Sequence, residues 1–132
     1  MKSISIFFFF VTMLFCVTNQ STKAQENKTP QQIKETQANY DGLIADLRNM
    51  ASLAQKHYKK SIKLGGGGNS FTGWFIPEVI DTTGNGTFTA KVAKSEVTIV
   101  GFGRVIGNDG KNKIRVTLIV GPDKIVSTTI NN

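Results

Sequence analysis

Cysteine, histidine and proline are scarce in this chain, and each scarcity closes off a class of protein. Its 132 residues contain one cysteine, one histidine, three prolines and one tryptophan. The lone cysteine, Cys16, sits in an apolar N-terminal run, so no pair exists to form an internal disulfide, and stability must come from core packing. Met13-Leu14-Phe15 before it lack the small residues of a lipidation site. The lone histidine, His57, lies among lysines, whereas a nucleophilic triad needs a base positioned against a serine or cysteine. No His and carboxylate cluster has metal-ligand spacing. The acids Glu78, Asp81, Glu96, Asp109 and Asp123 are scattered through turns and strand ends, where aspartate supports turn geometry. The expectation is a non-enzymatic protein with no metal, no cofactor and no small-molecule substrate.

The N-terminus is what the chain has in abundance. Lys2 precedes an apolar run, Ile4 to Val17, that includes Phe7, Phe8, Phe9 and Phe10. The run has the length of a secretory signal core and falls short of the roughly 20 residues that span a bilayer as a helix. Thr22 and Ala24 place small residues for a cut before Gln25. Residues 1–24 therefore read as a signal peptide, 25–29 as a disordered polar leader, and 30–132 as one domain. The protein is expected to be exported to the periplasm, the cell surface or the medium. Removing the signal takes away Lys2 and Lys23 and lowers the formal charge from +7 to +5. This mild basicity suits contact with an anionic envelope component as well as plain solubility.

The domain opens sharply. Thr29-Pro30-Gln31-Gln32 spells a capping box, with the hydroxyl at the N-cap, proline at the first helical position and glutamine at the third. Ile33, Tyr40, Ile44, Leu47, Ala51, Leu53, Ala54, Tyr58 and Ile62 follow at helical spacing. The pattern predicts one long amphipathic helix that tolerates Gly42 and runs to Leu64, where Gly65, Gly66, Gly67 and Gly68 stop it and form a flexible break. Those glycines follow a helix and precede no lysine, which is the wrong order for a phosphate-binding loop.

Past the glycines the period changes. Phe71, Trp74, Phe75 and Ile76 form an aromatic segment closed by Pro77, and Thr83-Gly84-Asn85-Gly86 signals a turn. Strands are expected around Phe88–Val92, Val97–Ile106, Ile114–Val120 and Ile125–Ile130, separated by turns at Asn108–Asn112 and Gly121–Lys124. Gly101 and Gly103 suggest a bulge or a close neighbour in the second strand. The predicted fold is α+β, one long N-terminal helix packed on a meander of about four antiparallel strands.

Lys56, Lys59, Lys60 and Lys63 crowd the helix end. The dipole at a helix C-terminus favours cations there. The same cluster is the candidate contact for a weak anionic partner through phosphate-like charge. Thr29, Pro30, the four glycines, Asn85 and Gly86 are assigned structural roles.

The stretch Asp46 to Lys60, the run Leu64-Gly65-Gly66-Gly67-Gly68-Asn69-Ser70-Phe71 and the turn Asn85-Gly86-Thr87-Phe88 resemble the heads of small pilin-like proteins of Gram-negative bacteria. In type IV pilins and pseudopilins a long helix, a glycine break and an antiparallel meander follow in that order. The resemblance implies a structural role on a filament, a secretion pseudopilus or the cell envelope, with other protein subunits or envelope components as partners. It extends over the head alone. No glycine precedes the apolar run and no glutamate follows it in register, so that run reads as a removable signal rather than a filament anchor.

Overall fold

A computed structural model of the protein describes residues 28–131. The expected signal peptide and most of the leader lie outside the described residues. Helix α1 spans Pro30–Lys59. Strands β1 (Gly86–Val92), β2 (Val97–Ile106), β3 (Lys113–Val120) and β4 (Ile125–Asn131) follow in one antiparallel sheet whose spatial order matches the chain order. This is the helix-first α+β meander that the patterning predicts.

The start of α1 is set by local chemistry. Thr29 is extended, with φ −64° and ψ 155°. Its hydroxyl accepts from Gln32 N at 3.3 Å, and its own N–H donates to Gln32 Oε1 at 2.8 Å. Two otherwise unpaired donors are satisfied, a cap worth about 1 kcal/mol. Within the leader 25–29, Lys28 is also tied to the domain. Its ammonium donates to the Ile106 carbonyl at 3.1 Å and to Thr36 Oγ1 at 3.2 Å.

The buried face of α1 comprises Thr36, Asn39, Tyr40, Leu43, Leu47, Met50, Ala51 and Ala54. It packs over β2 and β3. Leu43 and Met50 belong to this face although the expected stripe omits them, and Ile33 and Ile62, which that stripe includes, are exposed. The stripe drifts because the helix crosses the sheet. Near the N-terminal end its sheet-facing positions hold Thr36 and Asn39, while Ile33 turns away. Leu43 lies over Gly86, Gly101 and Gly103, its methyls about where their β-carbons would make contact. These glycines make a hollow that lets the helix approach, and the β2–β3 register shifts between Phe102 and Ile106, the interval that contains Gly103.

The sheet side of the core is Phe88, Val97, Ile99, Ile114, Val116, Leu118 and Val120. Each fully buried aliphatic contributes about 1.5–3 kcal/mol. The aromatic segment adds to the same core without forming a strand. Phe71 is fully buried and Trp74 nearly so, whereas Phe75 is exposed. The other face of the sheet carries Thr89, Thr98, Val100, Phe102 and Arg115, with the Arg115 guanidinium 5.7 Å from the Phe102 ring centroid. Among the described residues, no helix is long and apolar enough to cross a membrane.

Candidate functional site: a basic pole at the end of the long helix

The helix ends sooner than the sequence pattern suggests. Lys60 is its C-cap, extended at φ −73° and ψ 136°, with its N–H on Lys56 O at 3.0 Å. A short 3-10 turn, Ile62–Leu64, follows and closes on Gly65. The expected continuation of α1 to Leu64 is thus corrected. The physical reason lies in the hydrogen bonding that follows the cap.

The backbone of the glycine run folds back onto the helix. Gly66 N donates to Ser61 O at 3.0 Å, Gly67 N to His57 O at 2.7 Å, Gly68 N to Lys60 O at 2.9 Å and Asn69 N to Tyr58 O at 2.7 Å. The final carbonyls of a helix have no partner within it. Here those of His57 and Tyr58 are capped by loop donors, which a continuing helix would have satisfied with its own N–H groups. The expected flexible break is instead a hydrogen-bonded cap.

Two side chains strap this cap to the aromatic segment that follows it. His57 Nε2 lies 3.2 Å from Thr72 O. A carbonyl only accepts, so the contact requires the tautomer with hydrogen on Nε2. The Tyr58 ring leans on Phe71, with centroids 4.7 Å apart and planes at 46°. His57 is therefore a tether, with no nucleophile beside it among the hydrogen bonds it makes.

The cap presents a distinct surface. Lys56, Lys60 and Lys63 are exposed. On either side of Lys63 in the chain, Ile62 and Leu64 are 74% and 69% exposed. Lys59 pairs with Asp123 at 3.0 Å. Both partners are well exposed, so the pair contributes at most about 1 kcal/mol. It nevertheless brings the β3–β4 turn to the pole, together with the bond from Gln55 Nε2 to Gly121 O at 3.1 Å. The β1–β2 turn arrives through Phe71 N on Lys94 O at 3.0 Å. Lys94 and Lys124 therefore join the four helix-end lysines, with Asp123 and Glu96 as the acids of the same turns. The sequence pattern identifies the four lysines. It misses Lys94 and Lys124, which only strand pairing places here, and it assigns Ile62 to the buried stripe.

The other assigned structural residues gather elsewhere. Asn85 Nδ2 and Thr83 Oγ1 both donate to Asp46 Oδ2, at 2.8 and 2.7 Å. Buried Asn39 donates to Asn85 O at 2.8 Å and accepts from Arg104 N at 3.1 Å. Arg104 in turn reaches Thr83 O at 2.8 Å. Gly86 is buried beside them under Leu43. This network pins the turn before β1 to the middle of α1. Among the described residues, no group of three His, Cys, Asp or Glu side chains is placed to hold a metal ion.

No family model, no curated protein and no solved structure matches this chain.

Proposed function

We propose that the chain is an exported, non-enzymatic interaction domain, pilin-like in layout, that attaches to an anionic lipid surface of the cell envelope through the basic pole. The observation that carries this reading is the exposure of Ile62 and Leu64, on either side of Lys63 in a hydrogen-bonded cap that also carries Lys60. Lysines near an anionic membrane surface are worth about 1 kcal/mol each. An aliphatic side chain moved from water into the acyl boundary gains about 1.5–3 kcal/mol when fully buried. The cap fixes the backbone that carries Lys60, Ile62, Lys63 and Leu64, so little backbone ordering opposes docking. Export rests on the N-terminal signal pattern, and the structural role on the pilin-like order of elements.

Cosedimentation of the exported protein with phosphatidylglycerol vesicles tests the proposal. Binding is expected to weaken with added salt, to be absent on phosphatidylcholine vesicles and to be lost in the triple change Lys59→Glu, Lys60→Glu and Lys63→Glu. Binding unchanged by that triple variant would falsify the reading. Ile62→Ser with Leu64→Ser is expected to weaken binding while leaving its salt dependence in place.

A second reading is packing against other protein subunits of a filament or pseudopilus. The outer edge of β4, which pairs only with β3 among the described residues, favours it. N-terminal sequencing bears on this reading, because a start at Gln25 removes the apolar run that would anchor a filament subunit.

A further inference from the structure

We infer that Asn85 is a self-modification site: its side-chain amide is protected from deamidation by its bonds to α1 and is lost to attack by the Gly86 nitrogen when the turn before β1 opens. This chemistry is independent of the basic pole. Asn85-Gly86 is the only Asn-Gly step in the chain. Asparagine is among the chemically labile side chains, and a following glycine has no β-carbon to shield its backbone nitrogen.

The reaction needs no partner except water. The Gly86 nitrogen bonds to Asn85 Cγ, the Cγ–Nδ2 bond breaks, and the proton of the Gly86 amide leaves with Nδ2 as ammonia. A cyclic imide remains. Water then opens it. Hydrolysis at Cγ leaves aspartate, and hydrolysis at the main-chain carbonyl carbon leaves isoaspartate, in which the chain runs through the side chain. Nothing is oxidised or reduced.

The fold holds the reacting groups away from this path. Asn85 Nδ2 donates to Asp46 Oδ2 at 2.8 Å, and the Asn85 carbonyl accepts from Asn39 at 2.8 Å. Asn85 N donates to Thr83 Oγ1 at 3.1 Å, and that hydroxyl donates to the same Asp46 oxygen at 2.7 Å. Thr83 N donates to Gly86 O at 2.9 Å. Gly86 is itself buried and paired opposite Gly103. Asn85 Cγ lies against Gly42 of α1, in the space of the missing β-carbon. For the Gly86 nitrogen to reach Cγ, the side chain must swing off Asp46 and away from Gly42. The reaction therefore waits on a local opening of this turn, and its rate follows the fraction of time the turn is open.

The product cannot retake the same place. A carboxylate at position 85 meets Asp46 where an amide donor did, and like charges at contact distance repel. The one ion pair among the described residues is Lys59–Asp123, so no cation neutralises Asp46. The nearby Arg104 guanidinium is engaged with Thr83 O at 2.8 Å. A turn that has opened and reacted stays untied from the middle of α1, which makes the network a one-way latch.

Peptide mass mapping of the exported protein, aged at mildly alkaline pH in buffer and in concentrated urea, tests the inference. Conversion at Asn85 is expected to be slower in the folded protein by about tenfold or more. Asp46→Ala is expected to speed the folded reaction severalfold, whereas Val120→Ala, a core change at the far end of the sheet, is not. Asn85→Asp is expected to lower the urea midpoint, and adding Asp46→Asn to recover much of the loss, because donor and acceptor then exchange places. Several results would each overturn the inference. These are equal rates in buffer and in urea, a folded rate unchanged by Asp46→Ala, equal acceleration by Val120→Ala, an Asn85→Asp variant as stable as the wild type, or no recovery in the double variant.

Discussion

The side chain of Asn85 occupies the space that a β-carbon on Gly42 would fill. From there its amide donates to Asp46, one turn further along α1, while the backbone carbonyl of Asn85 accepts from Asn39 one turn before. The glycine in the middle of the helix is therefore the seat of the turn that introduces the sheet.

The Gly42→Ala variant tests this contact. Alanine gains about 1 kcal/mol in intrinsic helix propensity. It also displaces Asn85, with an overpacking cost of about 1–3 kcal/mol and the loss of a hydrogen bond to a charged group worth about 1.5–3 kcal/mol. The second set wins. The urea midpoint is expected to fall, whereas a surface helical glycine would give a rise.

Gly66→Ala probes the cap. A β-carbon at position 66 would overlap the Lys60 carbonyl, so the backbone must move and the donors on Ser61, Lys60 and His57 carbonyls move with it. A loss of about 1–3 kcal/mol is expected, and hydrogen exchange should quicken at the amides of Gly67 and Asn69 first. Protection unchanged at those two amides would show that the run is a loose tether after all. Vesicle binding should weaken as well, since Ile62 and Leu64 are then no longer held.

Tyr40 supplies a prediction about alkaline pH. Burial, and then the negative charge of Asp109, raise its phenol above the ordinary value of 10.0. The unfolded chain therefore ionises first. Stability from this group is fully present below pH 10 and is lost as pH rises through the higher folded value. Tyr40→Phe should remove that alkaline decline. It also deletes a buried hydroxyl that has no partner among the described residues, so stability at neutral pH is expected to rise by about 1 kcal/mol. Thermal unfolding at neutral and alkaline pH measures both effects.

Asp109 behaves in the opposite sense at acid pH. Hydrogen bonds from Lys111 N and Asn112 N, each at 2.9 Å, and from the Asn112 side chain hold its carboxyl below the usual carboxylate range. Its contribution is present above the unfolded pKa near 3.9 and is lost as pH falls through the lower folded value. In Asp109→Asn, that part of the acid-side decline should be absent from the stability profile.

Much of this was legible without coordinates because it depends on neighbours in sequence. The Thr29–Gln32 cap, the period-two strands and the glycine and asparagine turns are short-range chemistry, and they appear where the patterning places them. The four helix-end lysines are adjacent along one chain segment and could be counted directly. The reading failed where a residue's fate is set by a distant partner. Nothing near Ile62 says that the backbone of Gly66 to Asn69 will cap the helix at Lys60 and leave that isoleucine in water. Nothing near Lys94 or Lys124 says that strand pairing will carry their turns to the same pole.

The amino-acid order by itself determined one helix followed by four strands, because capping, periodicity and turn chemistry act within a few residues. Tertiary structure decided which faces were left over. The helix covers β2 and β3 because Leu43 fits over the glycine hollow of β1 and β2, and a single helix has only enough width for two strands. Val126 and Ile130 are exposed as a result, and Ile62 and Leu64 are exposed because the glycine run caps the helix at Lys60. Their sequence character is that of core residues, and only the geometry of packing turned them into surfaces.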